Sequence, residues 1–320
     1  MKSWLPAIAA SLVSLAPGAA AAQTFPAKPV RFVVPYAPGG NTDMIARTLG
    51  QKLSESLGQP VVVDNKAGAA TLIGAENVAR SAPDGYSMLL ATSTTLAINP
   101  HLYKTLPYDP IKDFTPVIQV ARIPMVLFVP PSSPIKSMQD LIDLAKAKPG
   151  ELTYATAGPG SPSDLAMQLF LNATGTKMTP VPYKGGAPAV ADLMAGHIQL
   201  AFDNSSLAYA RAGRLRAVFH TGERRMVNAP EVPSVTELGL PQCVFYPWQG
   251  VVVPAGTPAP IVARLHDELA KALQQPDVRS RITADGAEIS AGSSREFADY
   301  IRSELDRFGK VMREAGVKPE

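Results

Sequence analysis

One cysteine, Cys243, in 320 residues excludes any disulfide within the chain, so packing alone must hold it together. Cys243 lies in an apolar run without a histidine placed to activate it, and reads as a small buried hydrophobe. Histidine is also sparse. His101, His197, His220 and His266 show no metal-ligand spacing, and no metal or other cofactor is expected. The formal net charge of +3 is too small to argue for nucleic acid or for an anionic membrane surface. The Gly-rich turns lack the G-K-[ST] of a phosphate loop, and Ser161 lacks the G-x-S-x-G frame of a nucleophile elbow, so catalysis finds no support. There is no low-complexity tract and no short repeat.

What is present describes a turn-rich globular protein. Its 31 Pro and 24 Gly fall short of the roughly 25–30% typical of disordered chains, and the length suits about two domains. Residues 1–22 read as a signal peptide. Lys2 supplies the positive start, residues 5–15 an apolar stretch too short to span a bilayer, and Ala20, Ala21 and Ala22 a cleavage site before Gln23. An uncleaved anchor or a buried N-terminal helix is the competing reading. No Cys follows the cleavage site, which argues against a lipid anchor, and export to a bacterial periplasm is the expected consequence.

The stretch P-Y-A-P-G-G-N-T-D, residues 35–43, sits between an apolar run at 30–34 that reads as a strand and a helical run in which Ile45, Leu49, Leu53 and Leu57 recur every fourth residue. A strand entering a helix through such a turn leaves unpaired N–H groups and the positive end of a helix dipole at the edge of a sheet. Gly39 and Gly40 permit close approach of a ligand, and Asn41 or Thr42 is the expected N-cap. A plain strand-to-helix turn is the alternative. Strands at 60–64 and 87–91 with a helix at 71–80 between them complete a block of alternating elements, the mark of a parallel sheet covered by helices. Ligands of such sheets lie where the loops after Val34, Asp64 and Ala91 converge.

An apolar connection at 114–129, broken by Pro124, reads as a strand passing between domains, and a helix follows at 137–148. A second block repeats the first: strand 152–156, Gly-rich turn 157–163, helix 164–172, strand 178–181, turn 183–186, helix to 195, strand 197–202 ending at Asp203. The run 246–253 is expected to return to the first block, with helices from 258 to 274 and from 294 to 315. Two α/β lobes facing one another are implied. Trp248, in the returning strand, is expected to be core.

Several motifs together, P-Y-A-P-G-G-N-T-D, A-R-S-A-P-D-G-Y (79–86), Asn99-Pro100, V-P-Y-K-G-G (181–186), A-F-D-N (201–204) and P-A-G-T-P (254–258), resemble the Bug family. These are extracytoplasmic solute-binding proteins of tripartite tricarboxylate transporters, and the resemblance spans the mature chain. It implies the type II periplasmic binding protein fold, two α/β lobes joined by two crossing hinge strands. Lobe 1 would be discontinuous, 23–123 and 244–320, with lobe 2 at 124–243. It also implies a solute carboxylate held by main-chain N–H groups and bridging waters of two loops, the first formed by Pro38, Gly39, Gly40, Asn41, Thr42 and Asp43, and the facing one by Gly158, Gly160, Ser161 and Ser163. The chain departs from the family in having Asn41 where Pro or Ser is common, Asp164 where His is frequent, and Lys66, Ala67 and Ala70 where glycines and an Arg are usual.

Other candidates come from position. Tyr36 lies in the first loop, and the hydroxyls of Thr92, Ser93 and Thr94 follow a strand. Tyr183 and Lys184 occupy a turn, where Lys184 either draws acids into the cleft or is simply solvated. Asp203 either caps the helix after Asn204 or selects an amino or hydroxyl group. The expected function is capture of a small organic carboxylate by a monomeric periplasmic receptor and its delivery to membrane permease subunits. A signalling role and an enzyme on the same fold are the rivals.

Overall fold

Val-rich runs whose residues alternate between two apolar layers can only be strands buried on both faces. In β1 (Val30–Val34) the side chains of Val30, Phe32 and Val34 enter one core layer and Val33 the other. The computed structural model describes residues 25–183, 185–284, 286–314, 317 and 319. The signal peptide expected at 1–22, and Lys184, lie outside the described residues.

β1 leads into α1 (Asn41–Leu57), then β2 (Val61–Asn65), α2 (Leu72–Ala79), β3 (Ser87–Thr92), a π-helical turn at Thr94–Ile98 and α3 (Asn99–Leu102). β4 (Phe114–Arg122) ends the first run. The chain crosses to β5 (Val126–Val129), α4 (Met138–Ala147), β6 (Thr153–Thr156), α5 (Pro162–Thr174), β7 (Thr179–Pro182), α6 (Gly186–Ala195), β8 (Leu200–Asp203), α7 (Leu207–Arg211) and β9 (Arg216–His220). It returns as β10 (Trp248–Pro254), followed by α8 (Ala259–Gln274), α9 (Pro276–Thr283), the short β11 (Glu288–Ile289) and α10 (Ser294–Glu314).

Two sheets result, ordered β2-β1-β3-β10-β4-β11 and β7-β6-β8-β5-β9. β1 runs parallel to β2 and β3, as the alternating pattern predicts. The sheet is nevertheless mixed, because β10 comes back antiparallel to both β3 and β4. In the second sheet β6 is parallel to β7 and β8, while β5 lies antiparallel to β8 and β9. Helices α1 and α8 cover one face of the first sheet, where Ile45, Leu49 and Leu53 share a layer with Leu265 and Leu269. A second layer runs unbroken from Leu89, Val252 and Phe308 to Leu127, Tyr154 and Phe219, so both sheets are built on continuous apolar packing. The outer face of the second sheet is closed by Val190 and Leu193 of α6.

The two connections run side by side. Ile123 N–H donates to the Pro247 carbonyl at 2.8 Å, and Trp248 is buried edge-on between Phe297 at 5.5 Å and Tyr300 at 5.8 Å, in the core as expected. Cys243 is also buried, and burial pushes its thiol up to about 11, which makes it inert at neutral pH.

Candidate functional site

The parallel strands β1, β2 and β3 end on one edge, and their loops meet there. After β1 the chain turns through Gly39, whose φ of +94° suits only a residue without Cβ. Its N–H donates to Asp43 Oδ2 at 3.0 Å. The same carboxylate accepts Arg47 Nε at 2.9 Å and Asn65 Nδ2 at 2.9 Å, and Asn65 Nδ2 also donates to the Tyr36 carbonyl at 3.1 Å. The adjacent Arg47 guanidinium holds the Asp43 carboxyl down to about 2, helped by the Gly39 and Asn65 bonds and opposed by burial.

This geometry corrects the expected helix cap and assigns the Asp43 side chain a structural part. The helix starts at Asn41 with Gly40 as N-cap, so neither Asn41 nor Thr42 caps it. The Asp43 side chain is buried with both oxygens already accepting bonds inside the loop, so it fastens the turn, while the main-chain N–H that the resemblance implies as the ligand contact is left open. The amides of Gly40, Asn41, Thr42 and Asp43 find no acceptor among the described residues, as the first turn of any helix dictates. Pro38, Gly39 and Gly40 are exposed and leave these donors open. Open helical donors with the positive end of a 17-residue helix behind them are chemistry that suits an anion.

The second lobe repeats the device. Gly160, at φ +71°, donates its N–H to Asp164 Oδ2 at 2.9 Å, and Asp164 occupies the same third position of α5 that Asp43 occupies in α1. Asp164 Oδ1 accepts from the Tyr154 hydroxyl at 3.2 Å. Asp164 is therefore a buried fastener as well. The loops differ in what they offer. In the second, the amides of Ala157, Gly158, Gly160, Ser161 and Asp164 are all bonded internally. Thr156, Ser161 and Ser163 instead form a run of hydroxyls, each 3.1 Å from the next. Donor amides thus concentrate in the first loop and hydroxyls in the second.

At the end of β3 the expected hydroxyls are joined to the first loop. The Tyr36 hydroxyl lies 3.3 Å from Thr92 Oγ1, which lies 3.2 Å from Thr95 Oγ1, and that group donates to Thr71 Oγ1 at 3.0 Å. Asn99 Nδ2 closes the chain on the Ala70 carbonyl at 2.7 Å. Burial raises the Tyr36 phenol, so it remains a donor. Ser93 is buried beside Thr92. The ladder ends on Ala69, Ala70 and Thr71, three successive non-Gly residues with φ of +44°, +47° and +81°, a strain that persists only where surroundings over-determine it. The sequence showed no sign of Thr71 or Thr95.

A third residue was equally hidden. Gln249 of β10 lies opposite Thr92 and donates through Nε2 to Asn41 Oδ1 at 3.0 Å. It is 7% exposed, and its Oε1 is buried without a partner among the described residues.

On the far lobe Tyr183 and Asp203 lie apart from this cluster in their bonding. The Tyr183 hydroxyl donates to Asp192 Oδ2 at 2.9 Å. Asp203 does not cap α7, whose N-cap is Ser206; its Oδ2 accepts Ser205 N at 2.8 Å and Ser205 Oγ at 3.0 Å. Asp203 and Ser163 line a pocket of about 160 Å³ with Thr156, Gly185 and Met125. The lobes touch at the second loop, because a Cβ on Gly160 would stand 2.5 Å from Leu102 of α3. Among the described residues no group of three or more His, Cys, Asp or Glu could hold a metal, and no helix is long and apolar enough to cross a membrane.

Comparison with known proteins places this geometry among receptors. Residues 45–317 match the family model for the tripartite tricarboxylate transporter family receptor. The chain is 39% identical over 300 residues to protein BugT of Bordetella pertussis, covering 93% of this chain and 92% of that one. Among solved structures, R. palustris Rpa4515 with adipate is 38% identical at a TM-score of 0.84, covering 92% of this chain and 100% of that one. MatC from Rhodopseudomonas palustris with bound malate is 32% identical at a TM-score of 0.79, covering 90% and 99%.

Proposed function

The chain belongs to the tripartite tricarboxylate transporter receptor family, and on that premise we propose that it is a periplasmic receptor that encloses a small organic carboxylate between two lobes. Lobe 1 comprises residues 23–123 and 244–320, lobe 2 residues 124–243, and residues 1–22 are the export signal. The receptor works as a monomer and delivers its solute to membrane permease subunits. It binds without turning its ligand over, a reading supported by the hydrogen bonds of the Ser161 and Ser163 hydroxyls, which among the described residues run only to hydroxyl and amide groups.

One observation carries the reading: four amides at the start of α1 stand open at the edge where three parallel strands end. Hydrogen bonds to a charged group contribute roughly 1.5–3 kcal/mol each and a helix terminus roughly 0.3–1 kcal/mol, so three or four donors approach the ~8 kcal/mol of micromolar affinity. No buried Arg is needed. The bound adipate and malate of two relatives are the chemistry these donors suit, and the hydroxyls of Thr156, Ser161 and Ser163 would close on the ligand from the other side.

A thermal-shift screen across mono-, di- and tricarboxylates tests this. Ligand at 100 times its dissociation constant adds roughly 2.7 kcal/mol of stability, and flat melting curves across the panel with folded protein would sink the proposal. Gly39→Val is the matched control. A Cβ there meets no atom within 4 Å, but φ is +94°, so the turn must rearrange while the core is untouched. The expected outcome is a normal far-UV spectrum and no ligand-induced shift.

A further inference from the structure

Gln249 is a long polar residue in an otherwise apolar strand, and one end of its amide is unused. Buried polar atoms without partners are rare in folded proteins and call for an explanation. Here the surroundings supply one. β10 carries an irregularity between Gln249 and Gly250, where the register against β4 slips so that Gln249 faces Ala121 and Gly250 faces Gln119. Such bulges re-aim side chains and gather beside functional sites. Gly250 is needed at this point, because a Cβ would sit 2.2 Å from the Phe297 ring. The re-aimed amide reaches the first residue of α1, Asn41, at 3.0 Å. Asn41 in turn keeps its Nδ2 free of partners among the described residues. The pair therefore leaves one amide NH2 group, on Asn41 at the open start of α1, and one buried carbonyl oxygen, Gln249 Oε1 at the other end of the amide that reaches it, without partners among the described residues. Rotating both amides by half a turn preserves their mutual bond and merely exchanges which residue supplies which.

We propose that the Asn41–Gln249 amide pair is a two-point reader that selects carboxylates bearing a hydrogen-bond donor, a hydroxyl or an amino group, on the carbon next to the bound carboxylate. The inference rests on the reading of the α1 start as the carboxylate site and adds the selection made there. A carboxylate oxygen takes the free donor, and the neighbouring hydroxyl or amino group donates to the free acceptor. An unsubstituted acid satisfies the first contact but leaves the acceptor buried and unpaired. A site built to bond a substrate hydroxyl rejects the analogue lacking it for this reason.

The test is calorimetric titration of the mature protein with acids matched except for the 2-substituent: malate against succinate, lactate against propionate, aspartate against succinate. The substituted member of at least one pair is expected to bind about tenfold more tightly, the worth of one buried hydrogen bond. Gln249→Met keeps the length and removes both polar atoms, and should shrink that preference to less than about threefold, mainly by weakening the substituted acid. Asn41→Ala, at a half-exposed position that leaves the core alone, should shrink it likewise, and far-UV spectra of both variants check folding. Equal binding within every pair, or a preference that survives in folded Gln249→Met and Asn41→Ala proteins, overturns the two-point reader and leaves the receptor reading standing. Failure of every acid to bind the wild-type protein overturns both.

Discussion

On the carboxylate-site reading proposed above, the Asp43 side chain acts one step behind the ligand. Its carboxylate ties Gly39, Arg47 and Asn65 together, so the loop keeps its amides pointed outward before any solute arrives. The Arg47 guanidinium beside it depresses its pKa to about 2, below the value of about 3.9 expected in the unfolded chain. A depressed folded-state pKa adds stability that is full above the unfolded value and is lost as pH falls through the folded one. Urea unfolding of wild type and Asp43→Asn should therefore differ by about 1–2 kcal/mol at pH 7, a gap that closes between about pH 4 and pH 2. A gap that persists at pH 2 would mean the carboxylate's charge contributes nothing. The variant should also bind carboxylates more weakly at pH 7, since the amides lose their brace.

At the scale of elements, the same small machine appears twice. In α1 and in α5 a Gly with positive φ donates to an Asp at the third helical position, four residues on. The two copies are tuned differently. Gly39 faces open space, whereas Gly160 presses on Leu102 of α3 in the other lobe. Gly160→Ala should thus cost about 1–3 kcal/mol from overpacking in addition to the backbone strain at φ +71°. Leu102→Ala in the same chain should recover part of that cost, visible as a positive coupling in a double-mutant cycle of thermal denaturation. Additive effects would mean the loop and α3 do not meet. Both glycine turns were legible from sequence, because a Gly between a strand and a helix is a local signal. The Leu102 contact was not, because nothing in residues 99–102 announces that a turn of the second sheet will settle on them.

The whole molecule depends on where the two lobes are joined and where they merely touch. The joints are the paired connections at Ile123 and Pro247, beside which Arg122 bonds Glu288 at 2.8 Å, reaches Glu223 at 3.5 Å and lies over the Tyr246 ring at 4.3 Å. A few residues before Glu288, Asn228 Nδ2 donates to the Ala284 carbonyl at 2.8 Å and the Thr283 carbonyl at 3.2 Å, closing the end of α9 from the opposite lobe. On the two-lobe reading proposed above, this contact is a latch that favours the lobes together. Loss of about 1 kcal/mol from Asn228→Ala would shift an open-closed equilibrium about fivefold and weaken solute affinity by a similar factor. Small-angle scattering should show a larger radius of gyration for the unliganded variant, restored by saturating ligand. An unchanged radius and affinity would remove the latch from the account.

Residues 35–43 and 157–163 by themselves determined two glycine turns, two helix starts and alternating strands between them, because turn chemistry and apolar periodicity act over a few neighbours. The split into two sheets was legible from the break at Pro124 and the late apolar run at 246–253. What only the tertiary structure decided is who stands beside those turns. β10 returns antiparallel against β3 and brings Gln249 to Asn41, and the chain folds Thr95 and Asn99 onto Thr71. Such meetings arise from strand register and layer packing, which are properties of the assembled core and leave no mark on the short windows in which sequence speaks.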